Sequence, residues 1–307
     1  MTAQSYKKRE PIMKLTKDTN VLIVGLGVIG GGYAQALTKQ GYTVHCITLE
    51  QSTVDYALSH GMIASGTTHV DPALVGAADL VVFALYPHTF IEWIDRYQSL
   101  LKSGAIITDV TGVKGSVVET VQSMLRDDVE FIAAHPMAGR ERSGVEYSDD
   151  KVFLGANYIV TPTEKNTPEA IAVCRRLGEL LGFARITELS PAEHDEMIAF
   201  LSQLTHCIAV SLMTCNSSPS LEKYTGDSFR DLTRIAKIND EMWSELFLLN
   251  REPLLRQMDL FEQEFARLRK MLADGDRDGM RKMMRTSTAR RALFDKPTPP
   301  QNPIERK

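Results

Sequence analysis

A histidine that directly follows an apolar run is the first candidate for chemistry in this chain. His135 comes after residues 129–134, whose composition predicts a strand, and Pro136 disfavours a simple continuation of that strand. A neutral imidazole has a pKa near 6.5, which suits proton transfer close to neutral pH. Charged side chains follow closely at Arg140, Glu141 and Arg142. This position at a strand's carboxyl end favours an active site, and the alternative is a structural histidine.

A glycine-rich turn is the second candidate. Gly25, Gly27 and Gly30 follow the apolar run 21–24 and precede a helical segment. This context predicts a dinucleotide-binding turn, with the pyrophosphate at the helix N-terminus, and the alternative is a structural turn that binds nothing. The residues expected to contact the cofactor are Gly25, Leu26, Gly27, Val28, Ile29 and Gly30.

The end of the second predicted strand bears on the choice between NAD and NADP. Thr48 occupies the position where an acidic residue usually binds the ribose hydroxyls, and Glu50 lies about 20 residues past the last glycine of the turn. No Arg or Lys occurs between Gln40 and Arg96 to pair with a 2′-phosphate. We therefore expect NAD with Thr48 and Glu50 at the ribose, and NADP stays open.

Two arginines at helical spacing could bind carboxylates. Arg230 and Arg234 are four residues apart, so a continuous helix would present both guanidinium groups on one face. Arginine is well suited to this task because its planar fork can bind a carboxylate through two hydrogen bonds. The alternative from the residues alone is a solvent-facing ion-pair network with Asp227 and Asp231.

The elements around these residues predict an α/β protein. Short, nearly continuous apolar strands alternate with helical segments from about Asn20, which is typical of a doubly wound, Rossmann-type parallel sheet. Ser190, Pro191 and Glu193 form a helix-start signal, and only helical periodicity follows. We therefore predict a dinucleotide-binding domain at 19–189, an all-α domain at 190–295, and disordered tails at 1–18 and 296–307. The apolar positions of one long helical segment, 240–273, favour a homodimer through the helical domain.

The bulk properties narrow the function. The 307 residues carry a net charge of −4, which offers no basic field for nucleic acid. The four cysteines are far apart, so we expect reduced thiols, no metal site and a cytoplasmic protein. We expect no membrane span, no signal peptide and no membrane partner.

Five segments carry a resemblance to a known family. Residues 135–144, HPMAGRERSG, resemble the signature of the prephenate/arogenate dehydrogenases, which make the tyrosine precursor. Residues 108–114, TDVTGVK, and 229–236, FRDLTRIA, match further motifs of that family, and so do His194–Asp195 and the segment 202–206. Together the matches extend over roughly residues 20–245.

The resemblance implies an NAD-dependent oxidative decarboxylation of prephenate, with arogenate as the alternative substrate. It implies that His135 accepts the proton of the ring hydroxyl. It further implies the substrate-binding residues Arg234, Arg230, His206 and Glu141, and places Asp109 at the cofactor. We add Arg140, which stands where relatives often have threonine, as a contact for the side-chain carboxylate, and Thr111 as a substitute for a hydroxyl that relatives supply at position 112. Two positions depart from the family pattern: Gly112 stands where many relatives have a substrate-binding serine, and Gln203 replaces a histidine.

Two other functions stay open at this stage. A β-hydroxyacid dehydrogenase would share the glycine turn and a helical domain, but the expected lysine is absent from residues 191–216. A catalytically inactive, nucleotide-sensing regulator would explain the changes at Gly112 and Gln203, but it would not need His135, Arg230 and Arg234.

Overall fold

The computed structural model describes residues 14–139 and 142–295 of the chain. Arg140, Glu141 and most of the two predicted tails lie outside these described residues. Within them, the predicted α/β architecture is confirmed, with a parallel sheet in the first half and helices in the second.

The first half is built on a six-stranded parallel sheet whose strand order is β3-β2-β1-β4-β5-β6. Its strands are β1 (Asn20–Val24), β2 (Thr43–Ile47), β3 (Ser65–Thr67), β4 (Leu80–Phe83), β5 (Ile106–Asp109) and β6 (Glu130–Phe131). The connecting helices are α1 (Val28–Lys39), α2 (Gln51–Ser59), α3 (Pro72–Ala77), α4 (Pro87–Tyr97) and α5 (Gly115–Met124). The sequence pattern did not reveal β3, because its three residues contain no apolar side chain.

Both faces of this sheet are buried, as its apolar strands predicted. Val21 and Ile23 of β1 belong to one hydrophobic cluster, whereas Leu22 and Val24 belong to a second cluster on the opposite face. Successive side chains of a strand point to opposite sides, so a strand covered on both faces is apolar throughout.

The run that precedes His135 is not one strand of the parallel sheet, and this part of the prediction is wrong. The chain breaks at Ile132 and enters a second, three-stranded sheet with the order β7-β8-β9. Its strands are β7 (Ala133–Met137), β8 (Asn157–Thr161) and β9 (Arg185–Glu188), and α6 (Pro168–Leu180) joins the last two. Strand β7 pairs antiparallel with β8 and continues through Pro136. The proline is tolerated because β7 is an edge strand of this sheet.

The described chain after β9 is helical, as predicted. Helix α7 (Pro191–Ile198) begins with the predicted capping box: Ser190 Oγ accepts from the Glu193 amide, and Glu193 Oε2 accepts from the Ser190 amide. A π-helical segment, Ala199–Gln203, joins α7 to α8 (Leu204–Thr214). The remaining helices are α9 (Asp227–Thr233), α10 (Asp240–Leu249), α11 (Arg251–Ala273) and α12 (Arg277–Arg291).

The predicted long helix over 240–273 is interrupted at Asn250. This residue is only 2% exposed, and its side-chain amide donates to the carbonyl oxygen of Asp195 at 2.9 Å and to Gln203 Oε1 at 2.7 Å. A buried amide needs such partners, and here they lie on the preceding helices rather than along the chain. The interruption therefore follows from tertiary contacts that the apolar spacing does not reveal.

Packing divides the chain into two compact units at Leu254. The first unit contains both sheets and the helices up to the beginning of α11. The second unit begins at Leu255 and contains the rest of α11 together with α12, whose first turn is capped by Asp276. The predicted boundary at 189/190 instead coincides with the entry into α7.

The continuous helix Pro191–Thr214 differs from what the composition led us to expect. By length and composition alone it could cross a membrane, and only 28% of its most apolar window is buried within the chain. A helix that packs in the core or interface of a globular protein passes the same test. The exposed part includes Met197, Phe200, Leu201 and Met213.

Candidate active site

The glycine turn between β1 and α1 has the shape that a dinucleotide requires. Gly25 has φ +92°, and a side chain there would collide with the carbonyl oxygen of Ala84. A Cβ at Gly30 would collide with the carbonyl oxygen of Gly25, so the helix packs tightly on the turn. By contrast, a Cβ at Gly27, the residue before α1, would find no atom within 4 Å.

Open space above a helix N-terminus therefore lies where the fingerprint places the pyrophosphate, and the residues present fit this group. Leu26 is buried in the core, so only its backbone could contact a cofactor. Val28 and Ile29 are half-buried in the first turn of α1. At the end of β2, Thr48 is half-buried and donates its amide to the carbonyl oxygen of Thr67, whereas Glu50 is exposed just before α2.

His135 lies in the middle of β7 and is joined to helix α7 by hydrogen bonds. Its Nδ1 is 2.9 Å from Nε2 of His194, and Nδ1 of His194 is 2.7 Å from Oδ1 of Asp195. The His194 side chain is fully buried, whereas His135 is only partly buried. In the described part of the chain, Nε2 of His135 carries no hydrogen bond. This nitrogen is therefore the atom of His135 that is available to a ligand.

A buried ion pair supports the backbone next to His135. Lys114 Nζ is 2.7 Å from Asp109 Oδ2, and both side chains are fully buried. Lys114 also donates to the carbonyl oxygen of Ala134 at 2.6 Å, while Asp109 Oδ1 accepts from the Ala134 amide at 3.2 Å. Both backbone groups of the residue before His135 are thus held by one ion pair.

The same contacts involve two residues that were predicted to bind ligands, Asp109 and Thr111. Asp109 is fully buried in the ion pair, so its carboxylate faces the protein rather than the cofactor space. The single hydroxyl hydrogen of Thr111 can be donated to Asp109 or to the carbonyl oxygen of Val113, and the hydroxyl oxygen accepts from Lys114. A contact between Thr111 and substrate would require one of these bonds to break. The roles of Asp109 at the cofactor and Thr111 at the substrate therefore stay predictions, and in this structure the polar atoms of both side chains bond within the protein.

The surroundings keep both histidines neutral near pH 7. Burial, with the nearby His194 and Lys114, lowers the pKa of His135 well below its usual 6.5. Burial also lowers the pKa of His194, and the carboxylate of Asp195 opposes this shift. Burial lowers the pKa of Lys114 as well, against the opposing effect of Asp109. A neutral imidazole can accept a proton, so His135 is in the form that a general base needs.

The other predicted substrate contacts are spread over the helical half. His206 stacks on Trp243, with ring centroids 3.7 Å apart, and its Nδ1 donates to the carbonyl oxygen of Ser202. It lies twelve residues after His194 on the same continuous helix, roughly 18 Å along the axis. The predictions for Arg140 and Glu141 concern residues outside those the structure describes.

The two arginines do not share one face of a continuous α-helix, and that expectation is wrong. Helix α9 ends at Thr233, and Arg234 begins a tighter 3₁₀ turn that rotates its side chain relative to Arg230. Arg230 is paired with Asp227 at 2.9 Å, the alternative that the residues alone had left open. Both arginines are exposed.

Three supporting residues, Lys114, His194 and Asp195, were not selected from the sequence as site residues. His194 and Asp195 stood in a recognised motif, and Lys114 ended another, so the signal existed without indicating their contacts. Among the described residues, no group of His, Cys, Asp and Glu side chains could hold a metal ion.

Comparison with known proteins identifies the family of this chain. The family model of the prephenate dehydrogenase nucleotide-binding domain matches residues 33–187, and that of the prephenate dehydrogenase dimerization domain matches residues 190–286. The chain belongs to the prephenate dehydrogenase family.

Individual relatives agree with this assignment. The structure of prephenate dehydrogenase from A. aeolicus in complex with hydroxyphenyl propionate and NAD+ is 31% identical, with a TM-score of 0.84, and the match covers 92% of this chain and 100% of that one. Prephenate dehydrogenase of Bacillus subtilis is 29% identical over 90% of this chain and 76% of its own length. Cyclohexadienyl dehydrogenase of Zymomonas mobilis is 29% identical over 86% of this chain and 92% of its own.

The structure shows which residues surround Gln203 and Gly112, the two positions that depart from the prephenate dehydrogenase pattern. Gln203 is 1% exposed, donates to the carbonyl oxygen of Leu246 at 2.9 Å and accepts from Asn250, so it ties the π-helical segment to α10 and the interruption that follows. Gly112 faces Leu246, whose Cδ1 would lie 3.4 Å from an added Cβ. Gln203 therefore has a structural role in this prephenate dehydrogenase family member. At Gly112, where relatives have the serine, the neighbouring side chain is that of Leu246.

Proposed function

We propose that this protein is an NAD-dependent prephenate dehydrogenase of tyrosine biosynthesis. It would oxidise the ring carbinol of prephenate, release the ring carboxylate as CO2 and form 4-hydroxyphenylpyruvate. The observation that carries the proposal is the partly exposed His135, whose Nδ1 is bonded to His194 while Nε2 has no partner among residues 14–139 and 142–295. The family match and the glycine turn support it independently.

Each part of the chain has a definable task in this reaction. Bound NAD supplies the hydride acceptor, and the turn of Gly25, Gly27 and Gly30 would hold its pyrophosphate. Nε2 of His135 accepts the proton of the ring hydroxyl. Once CO2 has left, the ring is a phenolate, and the same imidazole returns the proton to its oxygen. The reaction is then balanced without net proton release, and aromatisation makes it downhill.

The activity is tested with purified protein, NAD and prephenate, by following the absorbance of the reduced nicotinamide and identifying the product. We expect 4-hydroxyphenylpyruvate and CO2 in equal amounts. Arogenate is offered in a parallel reaction, and turnover of arogenate alone would replace the proposed substrate. Nucleotide binding without turnover of either compound would instead indicate the regulator considered above.

NAD is expected to give the higher kcat/KM of the two nicotinamide cofactors. The exposed carboxylate of Glu50 stands beyond the end of β2 and would repel a 2′-phosphate. The A. aeolicus relative, whose structure contains NAD+, agrees with this preference. Steady-state kinetics with both cofactors provides the measurement, and Glu50→Gln should narrow the difference. A higher kcat/KM with NADP would remove Glu50 from the ribose site.

Replacing Arg234 by glutamine is expected to raise the KM for prephenate with little change in kcat. We propose that this guanidinium binds a substrate carboxylate, and a charge-assisted hydrogen bond contributes about 1.5–3 kcal/mol. The loss corresponds to roughly 10- to 150-fold in kcat/KM. Arg230→Gln is the matched comparison, because Arg230 is already paired with Asp227. An unchanged KM combined with lower thermal stability would make Arg234 a structural residue.

The protein is expected to be a homodimer through its helical half. The exposed apolar residues of helix Pro191–Thr214 favour burial against a second subunit. The family model that matches residues 190–286 is that of a dimerization domain. Light scattering at micromolar concentration should give about twice the chain mass of 34.2 kDa. Phe200→Glu should weaken the dimer, whereas Leu154→Glu, an exposed leucine outside the helical half, should not. A concentration-independent monomer would contradict the proposal.

We also propose a cytoplasmic location, because all four cysteines are free thiols.

A further inference from the structure

Only one assignment of donors and acceptors fits the hydrogen bonds between Asp195, His194 and His135. Both carboxylate oxygens of Asp195 accept backbone N–H groups, so Nδ1 of His194 is the donor in their 2.7 Å contact. Since His194 is neutral, its Nε2 then has a lone pair and accepts from Nδ1 of His135 at 2.9 Å. His135 is left with its hydrogen on Nδ1 and a lone pair on Nε2.

We propose that His194 and Asp195 are positioning residues that fix this tautomer of His135 and share the charge when Nε2 takes up a proton. The inference rests on the proposed function, since it assigns these two residues to the same reaction. Without them, an imidazole can carry its hydrogen on either nitrogen, and the Nε2-protonated form could not act as the base.

The start of the chain of hydrogen bonds is rigidly held. Asp195 Oδ1 accepts from the Lys114 amide at 2.8 Å, and Oδ2 accepts from the Gly115 amide at 2.7 Å. These amides belong to the N-terminus of α5, where the helix dipole favours a negative charge. A Cβ at Gly115 would lie 2.9 Å from Oδ2, so the close approach depends on glycine at this position. The carboxylate therefore has a fixed direction toward His194.

The buried position of these hydrogen bonds agrees with the balance of the reaction. His135 receives the hydroxyl proton and later returns it to the phenolate oxygen, so no proton has to leave the protein. In between, the hydrogen on Nδ1 of His135 can move to Nε2 of His194, which places the positive charge beside Asp195. This chain of hydrogen bonds ends inside the protein, where His194 is fully buried. It is sufficient because His135 takes up a proton and later returns the same proton.

The first test compares Asp195→Asn with Asp128→Asn. Asp128 is a matched control because its carboxylate is ion-paired with Arg126 on the surface, away from these hydrogen bonds. In Asp195→Asn, the new side-chain amide can donate to His194 and reverse the direction of every bond in the chain. We expect kcat to fall by on the order of 10²-fold or more, with the KM for prephenate and the affinity for NAD within about twofold of wild type. Asp128→Asn should keep the wild-type kcat.

The second test reads the tautomer directly and does not depend on turnover. Two-bond ¹H–¹⁵N correlation spectra of the protein with ¹⁵N-labelled histidine distinguish protonated from unprotonated ring nitrogens, and His135→Asn assigns the His135 signals. We expect the hydrogen on Nδ1 of His135 in the wild type and on Nε2 in Asp195→Asn. A wild-type ring protonated on Nε2, or an unchanged tautomer in Asp195→Asn, would overturn the proposal even if the enzyme is active.

His194→Gln separates tautomer control from charge sharing and covers the case that Asp195→Asn folds poorly. A glutamine oxygen can still accept from Nδ1 of His135, but it cannot take up the charge. We expect the wild-type tautomer with kcat lowered by roughly tenfold, less than in Asp195→Asn. An unchanged kcat would overturn the charge-sharing part. If prephenate and arogenate are both inert, the proposed function fails, and the tautomer result still decides the inference.

Discussion

Replacing His135 by asparagine is expected to lower kcat by about 10²- to 10⁴-fold while NAD binds with nearly wild-type affinity. Asparagine can still hydrogen-bond to His194, but it has no lone pair basic enough to take the proton of the substrate. The glycine turn that receives the cofactor belongs to β1 and α1, so its geometry should not depend on this side chain.

Turnover with saturating prephenate measures kcat, and quenching of tryptophan fluorescence by NAD measures the affinity for NAD. His60→Asn is the matched control, because His60 is an exposed histidine at the end of α2 that stacks on Tyr56. It should leave both quantities unchanged. If His135→Asn retains more than about a tenth of the wild-type kcat, another group is the base, since a lost base costs at least about 10²-fold.

Replacing Lys114 by methionine is expected to lower the free energy of unfolding by about 3–5 kcal/mol, because the fully buried carboxylate of Asp109 would lose its partner. Lys102→Met is the matched control. Lys102 pairs with Asp79 at 2.5 Å, but its side chain is 47% exposed, and such a pair contributes at most about 1 kcal/mol. Urea unfolding of both variants gives the comparison, and similar losses in both would contradict the prediction.

The same substitution should also move the acid limb of the pH profile. A base is active above its pKa, so kcat/KM falls as the pH drops through the pKa of His135. Because burial, His194 and Lys114 lower this pKa below 6.5, the wild-type limb should lie below pH 6.5. Removing the Lys114 cation raises the pKa, so the limb should move to higher pH. Adding Asp109→Asn should recover part of the lost stability, as expected for coupled partners.

Local patterns predicted the parts of this molecule that local chemistry determines. The turn of Gly25, Gly27 and Gly30 was predictable because a side chain at Gly25 or Gly30 would collide with nearby backbone, while Gly27 leaves open space before α1. The capping box of α7 was predictable because Ser190 and Glu193 satisfy one another within four residues. The family motifs, in turn, identified His135 without showing what surrounds it.

The rest depends on partners far along the chain. Residues 129–134 look like one strand, and only the pairing of Phe131 with Ile107 and of Ala133 with Thr161 shows that the run divides between two sheets. Lysine is ordinarily a surface residue, so nothing in the sequence indicated that Lys114 is fully buried under Ala134. Likewise, the helix interruption at Asn250 arises from contacts with Asp195 and Gln203.

The division of the chain at Ile132 has a consequence for how the protein acquires activity during folding. The cofactor turn needs β1, α1 and the adjacent strands β2 and β4, all of which lie within residues 20–83. His135 is placed only when β7 has paired with β8, more than twenty residues later, and α7 has docked beside it. Turnover therefore needs every contact on which cofactor binding depends, and these further contacts as well. During refolding, the ability to bind NAD should therefore return before turnover does, and activity reports the complete fold more faithfully than cofactor affinity.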